Sequence, residues 1–186
     1  YQSAEIRARL PIGKNFSSSS LGAWGHYAVS VYNSGSDLKA DLFVNGTLND
    51  RKTFANQSLG ELTPKNMVGR VGALLTQPSA SYMGASGAGK FNGSIDEFRF
   101  WKVKRTPEQI GLNWFAPING GVNSDISNTE LGIYYKFNEG KTGNIAVDGI
   151  VLDYGGRVCN GVWTGYEHAA SRNTGSAMVS ASAAAF

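Results

Sequence analysis

The feature that most constrains this chain is a run of alternating side chains that ends in a tight turn. Tyr27, Val29 and Val31 recur at every second position, and the pattern resumes after a Ser/Gly turn. Side chains at period two lie on one face of a strand, so two half-buried β-strands are predicted. Asn45-Gly46 then suits the positive φ angles of a tight hairpin. The region predicts an antiparallel meander.

The second of these strands separates its side chains by polarity. Its apolar residues face one way, and Lys39 and Asp41 face the other. Alternation of this kind is typical of a sheet with one face towards the core. The apolar set is Leu38, Ala40, Leu42 and Val44.

Composition extends this prediction to the whole chain. The 186 residues include 24 glycines, 11% aromatic residues and only 17% charged residues, a balance typical of a turn-rich all-β protein. The length suits one large domain, or one domain and part of another. The first residue is Tyr1, which fits a processed product or part of a larger protein.

Charge and cysteine content exclude several classes of function. The net charge is +3, and the basic residues are scattered except for Lys102, Lys104 and Arg105, so no nucleic-acid-binding face is predicted. No apolar run approaches the roughly 20 residues of a membrane span. The single cysteine, Cys159, excludes an intrachain disulfide and fits a reducing compartment.

Further elements follow along the chain. Residues 67–75 and 91–101 are predicted strands, and one short helix is predicted at 106–113. Thr106 is its N-cap, Pro107 its first residue and Gln109 the third residue of a capping box. Gly84, Gly87 and Gly89 lie in a Gly/Ser-rich loop without the Gly-Lys-Ser/Thr ending of a phosphate loop.

The chain after the helix divides into three parts. Residues 117–130 are predicted to be a Gly/Asn-rich linker. A strand then begins at 131, with Ile133, Tyr135 and Phe137 on one face, and one or two short strands follow around 155–161. Residues 176–186 form a low-complexity Ala/Ser tail.

Three blocks resemble the laminin-G-like, concanavalin A-like jelly rolls. The central hairpin of that family is similar to HYAVSVYNSGSDLKADLFVNG, and its late strand with a trailing helix to FNGSIDEFRFWKVKRTPEQI. Its opening strand is similar to LGIYYKFNEGKTGNIAVDG, which here follows the closing helix. The resemblance implies an antiparallel jelly-roll β-sandwich at residues 1–116. Residues 131–186 either complete that sheet or open a second unit.

A narrower resemblance concerns the C-terminal stretch. GIYYKFNEG, VLDYGGR and NGVWTGY are similar to segments of very large virion structural proteins of marine bacteriophages. The resemblance implies a tail or fibre component.

Asp96 and Glu97 are the candidate catalytic residues. The β-glucanases of this fold carry Glu-x-Asp-x-Glu on one strand, so that all three acids enter one cleft. With Asp96 in the middle position, the flanking positions are Ser94 and Phe98, and Glu97 points to the opposite face. Catalysis of this type is not expected, and no catalytic residue is assigned.

A structural role accounts for Asp96 and Glu97 better than a catalytic role does. Ile95, Phe98 and Phe100 break strict alternation, and a β-bulge at Asp96-Glu97 would return both phenylalanines to the core face. The acids would then accept hydrogen bonds from unpaired backbone groups.

A Ca²⁺ site is the alternative for the acids, since Ca²⁺ takes six to eight oxygen ligands and many relatives bind it in rim loops. No dense cluster is present, and no cofactor is expected. His26 and His168 are isolated, so zinc is not expected either. The scattered candidates are Asp37, Asp41, Asp96, Asp148 and Asp153.

Exposed aromatic residues are the candidates for stacking on sugar rings, although packing between two sheets is the default role of each. They are Trp24, Tyr82, Trp101, Trp114 and Trp163.

These observations predict a non-catalytic structural or adhesive module of a large extracellular or virion assembly, in particular a phage tail or fibre. Its expected partners are other subunits of that assembly, in an oligomer, and it would be located in the virion. The alternative is a carbohydrate-binding module of a secreted or bacterial surface protein, with a cell-surface glycan as its ligand and Ca²⁺ as an optional cofactor.

Overall fold

The structure is a computed structural model that describes residues 12–60, 71, 93–116, 118, 130–139, 142–157 and 159–163. The chain divides into two compact units, Tyr1–Leu59 with Asp96–Phe186, and Gly60–Ile95. Every helix and strand named below belongs to the first unit. The predicted strand at 67–75, nearly all of the 117–130 linker and the 176–186 tail lie outside the described residues.

A three-stranded antiparallel sheet contains β1 (Tyr27–Ser34), β2 (Asp37–Val44) and β3 (Thr47–Phe54), in the order β1-β2-β3. Asn45 and Gly46 connect β2 and β3 with φ angles of 47° and 78°. Two successive positive φ angles match the right-handed twist of the flanking strands. The predicted meander and its Asn-Gly turn are confirmed.

The faces of this sheet differ from the prediction. Tyr27, Val29 and Val31 do alternate on one face, but they are 44%, 58% and 42% exposed. In β2 both faces are buried, and Asp41, which was expected on a polar face, is 1% exposed. Alternation shows which side chains share a face, but it does not show whether that face is covered. Among the described strands, β2 has a partner on each side and β1 has a partner on one side.

The second sheet pairs two strands that are distant in sequence. β4 (Phe98–Trp101) and β5 (Leu131–Tyr135) are antiparallel, with Arg99 opposite Tyr134. Leu131 and Tyr134 are fully buried. Residues 131–135 therefore contribute core side chains beside β4, as expected if this segment completes the sheet. The predicted domain boundaries stay a prediction.

The start of β4 corrects the predicted bulge. The described residues before Phe98 are not in a strand, and the register shift lies at Phe100/Trp101 instead of Asp96-Glu97. Glu97 takes a φ of 52°. Phe98 is half-buried and stacks on Tyr135, but Phe100 is 48% exposed. Alternation placed both phenylalanines on the core face. It does not show which face is covered, so the exposure of Phe100 was not predicted.

The predicted helix is confirmed as α2 (Pro107–Asn113). Thr106 Oγ1 accepts from the Gln109 amide at 3.1 Å, and the Gln109 side chain accepts from the Thr106 amide at 3.0 Å. This reciprocal pair satisfies two donors that a helix start leaves without intrahelical partners. Ile110 is the buried residue of this helix and lies on the face that packs against the core.

Short elements complete the described fold. Two four-residue helices that the sequence did not predict are α1 (Ser18–Leu21) and α3 (Ile145–Asp148). The expected short C-terminal strands are β6 (Ile150–Val151) and β7 (Gly161–Val162), which pair antiparallel. None of the helices in the described part of the chain has the length and apolar character of a membrane span.

Candidate functional site

The Asp96 carboxylate accepts a hydrogen bond from the backbone of the residue that follows it. Its Oδ1 accepts a hydrogen bond from the Glu97 amide at 2.8 Å. Burial is the main cause that raises the pKa of Asp96, and the charges of Glu97 and Glu139 add to it. The bond to a backbone amide agrees with the expected structural role, although it forms at a positive-φ residue and not within a bulge.

The Glu97 carboxylate is the centre of a largely buried polar network. Arg99 Nη2 donates to Glu97 Oε2 at 2.9 Å, and the Tyr134 hydroxyl donates to the same oxygen. Arg99 Nη2 also donates to the Ala116 carbonyl at 2.7 Å. Burial, and then the bond to Glu97, raises the pKa of Tyr134 to about 12. The network joins β4, β5 and the segment after α2.

His26 lies beside this network. Its ring is 5.9 Å from the Trp114 ring, and its buried Nδ1 has no hydrogen-bond partner among the described residues. Burial lowers the pKa of His26 to about 4, and the positive charge of Arg99 contributes. The imidazole is therefore neutral near pH 7. His168 lies outside the described residues.

Acids in the three-stranded sheet are bound by basic side chains. Arg51 Nε and Nη2 donate to Asp41 Oδ1 and Oδ2 at 2.6 and 2.8 Å, and the Tyr32 hydroxyl donates to Oδ2 at 3.1 Å. These donors outweigh burial and lower the pKa of Asp41. The Lys104 ammonium lies 3.4 Å from the centre of the Tyr32 ring. Asp41 is thus a structural anchor.

Asp50 is a second buried carboxylate, which the sequence analysis missed. Its Oδ2 accepts from the Gly13 amide at 3.0 Å, and the ammonium groups of Lys14 and Lys52 lie 3.3 and 3.4 Å from its oxygens. The bond from Gly13 is the main cause that lowers the pKa of Asp50 to about 2. Arg51 and Lys52 follow Asp50 directly, and nothing in this charged stretch of sequence marks the side chain as buried.

Acids of the C-terminal segment hold loops in place. Asp148 is fully buried and accepts from the amides of Thr142 and Gly143 at 2.8 and 3.2 Å. Asp153 accepts from the Tyr134 amide at 2.9 Å and from the Cys159 amide at 3.1 Å. The Asp153 carboxylate therefore connects this segment to β5.

The candidate Ca²⁺ ligands do not converge. Asp37 accepts from the Asn56 amide at 3.1 Å, far along the chain from Asp148 and Asp153. Within the described ranges, no group of three His, Cys, Asp or Glu side chains could hold a metal ion. Each of the five candidate carboxylates accepts at least one hydrogen bond from a donor of the chain itself.

The aromatic candidates separate by exposure. Trp24 is 51% exposed, whereas the other three described candidates are half-buried. The Arg105 guanidinium lies 4.2 Å from the Trp101 ring, and the Trp163 ring lies 5.8 Å from that of Phe137. Trp114 packs on Gly46 and Phe115. Tyr82 lies outside the described residues. Trp24 is the described candidate with a ring surface open to a ligand.

The outward row of β1 is an exposed apolar row on the three-stranded sheet. It consists of Tyr27, Val29 and Val31, and the Phe16 ring lies 6.1 Å from that of Tyr27. Phe16 is itself 38% exposed. A contiguous exposed apolar surface marks an interaction site more often than an isolated apolar residue does.

Comparison with known proteins identifies the family. The model of the concanavalin A-like lectin/glucanases superfamily, Laminin_G_3, matches residues 12–111, which is more than half of the chain. The chain therefore belongs to this superfamily. Together with its antiparallel sheets and few short helices, the match confirms the predicted all-β jelly-roll sandwich. No curated protein and no solved structure matches the chain, and the virion resemblance finds no support in these comparisons.

Proposed function

We propose that the chain is a non-catalytic structural or adhesive module of a large extracellular or virion assembly. The single observation that carries this proposal is the exposed apolar row of β1, Tyr27, Val29 and Val31, on a regular sheet. An exposed apolar surface of this kind is typical of association with another protein and not of a catalytic site. The laminin-G-like family of the chain agrees with a binding module.

The bonding of the acids supports the non-catalytic part of the proposal. A retaining glycosidase needs two carboxyl groups about 5 Å apart, one of them as nucleophile and one as acid. Here Asp96 accepts a backbone amide and Glu97 accepts from Arg99 and Tyr134. Around Asp96 the glucanase pattern requires acids at positions 94 and 98, which are Ser94 and Phe98 here.

The assembly that we propose in particular is a phage tail or fibre, with the chain located in the virion and bound to other subunits. This choice is based on the similarity of GIYYKFNEG, VLDYGGR and NGVWTGY to virion segments. A secreted or cell-surface assembly is the alternative location. Quantitative mass spectrometry of purified particles tests the choice. We expect a fixed copy number per particle, and absence of the chain from washed particles would contradict it.

Carbohydrate binding is the second candidate, and the exposure of Trp24 favours it. An exposed indole can stack on a sugar ring in a lectin-like site. A glycan array on the wild-type chain separates the two functions. The structural proposal predicts no saccharide ligand. Binding that Trp24→Ala abolishes and that Phe100→Ala retains would establish the lectin, since Phe100 is similarly exposed at 48%.

A glycan-cleaving enzyme would differ from both the structural module and the lectin in the products that it releases. It would release reducing sugars from β-glucans and lose that activity in Asp96→Asn. We expect no release by the wild-type chain. Any release that requires the Asp96 carboxylate would overturn the non-catalytic assignment.

A further inference from the structure

We propose that β1 is a self-association edge, at which two copies of the chain pair antiparallel about Val29 and join their three-stranded sheets. The inference deepens the proposed adhesive function, on which it rests, by naming the contact surface and a second copy of the chain as its occupant. Sequence, hydrogen-bond direction and charge on β1 each support it.

Hydrogen-bond direction shows which residues face the open edge. The Asn45 amide donates to the His26 carbonyl at 2.9 Å, next to the paired residues Tyr27 and Val44. Backbone groups alternate in direction along an antiparallel strand. Because His26 bonds towards β2, the odd-numbered residues 27, 29 and 31 direct their N–H and C=O groups away from it. No described strand pairs with that side of β1.

Charge distinguishes the two edges of the sheet. β1, with the sequence YAVSVYNS, carries no charge and no proline, and it pairs with β2 in unbroken register. The other edge, β3, carries Asp50, Arg51 and Lys52 and a register shift opposite Leu42/Phe43. Charges and bulges are the devices that keep sheet edges from pairing. The β3 edge has both, and the β1 edge has neither.

The outward row is complementary to itself. With Val29 opposite Val29 of the second copy, Tyr27 of each copy lies opposite Val31 of the other. Aromatic and β-branched residues are favourable cross-strand partners. On the other face Ala28 meets Ser30, which are both small. This register uses the outward backbone groups of all three row residues and brings no charge opposite a like charge.

Sedimentation velocity of the full chain over a concentration series tests the pairing. We expect a monomer–dimer equilibrium that Val29→Lys shifts at least tenfold towards monomer, because the two-fold axis places two ammonium groups opposite each other. The matched control is Leu48→Lys, which adds the same charge at a 44% exposed position of β3. Equal dissociation constants in the two variants would overturn the proposal, and so would a wild-type chain that stays monomeric.

Cross-linking supplies a second measurement that does not depend on a charged variant folding. Directly opposite hydrogen-bonded residues have Cα atoms about 5.5 Å apart, within the span of a disulfide. In a Cys159→Ser background, Val29→Cys should oxidise to a covalent dimer, whereas Leu48→Cys should not. Equal dimer yields from both cysteines would contradict the β1 register.

The failure of this inference is distinguishable from failure of the proposed function. A monomeric chain that occurs in particles at a fixed copy number would overturn β1 pairing and retain the structural role. A chain that dimerises through β1 and binds a glycan through Trp24 would retain the pairing and overturn the structural assignment.

Discussion

At the scale of single residues, buried acids in this chain act as acceptors for its own donors. The Asp41 side chain is only 1% exposed, and both of its oxygens accept hydrogen bonds, from Arg51 and from Tyr32. A buried carboxylate is stable only when such bonds replace its hydration. Burial of acids therefore does not by itself indicate a catalytic site here.

Replacing Asp41 tests this role. We expect Asp41→Asn to lower the free energy of unfolding by about 2 kcal/mol, because bonds to a charged acceptor are lost in a buried position. Asp37→Asn is the control, since Asp37 bonds only Ser36 and Asn56 among the described residues, and its loss should be smaller. Urea unfolding measures both. Equal losses would contradict the anchoring role of Asp41.

His26 predicts a pH dependence of stability. Its pKa is lowered to about 4 in the folded chain against 6.5 for an ordinary histidine, so the unfolded chain takes up the proton first. The contribution of neutral His26 is present above pH 6.5 and is lost as the pH falls towards 4.

Thermal unfolding between pH 7 and pH 4 measures this loss. We expect His26→Gln to have a flatter pH profile than the wild type. Identical profiles for His26→Gln and the wild type would show that the imidazole is not protected from protonation.

At the scale of elements, the turns were the part of the fold that the sequence predicted most fully. Asn-Gly at 45–46 and Thr-Pro-x-Gln at 106–109 determine backbone geometry through local chemistry, and both were found as predicted. Burial was predicted less well, because the alternation of β1 does not reveal whether its apolar row is covered. Glu97 and Tyr134 lie 37 residues apart, a distance at which local patterns carry no signal.

Two turn glycines give a matched pair of variants. Gly46 and Gly35 have φ angles of 78° and 63°, so an alanine at either position pays roughly 1–2 kcal/mol for the left-handed conformation. A Cβ at Gly46 would also lie 2.5 Å from Trp114 Cδ1, whereas a Cβ at Gly35 would meet nothing within 4 Å. We expect Gly46→Ala to destabilise the chain more than Gly35→Ala in urea unfolding. A smaller loss for Gly46→Ala would show that Trp114 does not pack against this turn.

At the scale of the whole molecule, the C-terminal segment supplies part of the core. Within residues 131–163, Leu131 and Tyr134 of β5 are fully buried, and the Asp153 carboxylate accepts a hydrogen bond from the Tyr134 amide. The sequence showed that an opening strand follows the closing helix, but it left its partner undecided between one sheet and a second unit. The pairing of β4 with β5 is a long-range contact that the order of blocks does not determine.

Truncation tests the contribution of this segment. A chain of residues 1–116 lacks the partner of β4 and the Tyr134 hydroxyl bonded to Glu97, so we expect no cooperative thermal unfolding. A chain of residues 1–163 is the control and should unfold cooperatively. Equal transition midpoints for the two chains would contradict an essential role for residues 131–163.

Whether the acids of this chain hold its fold or hold an ion is decided most directly by calorimetry with and without calcium. Scans in millimolar CaCl₂ and in excess chelator should give the same unfolding midpoint, because the described acids do not cluster and each candidate carboxylate bonds a donor of the chain. A midpoint that rises by several degrees with Ca²⁺, and no longer does so in Asp96→Asn or Asp153→Asn, would contradict this assignment.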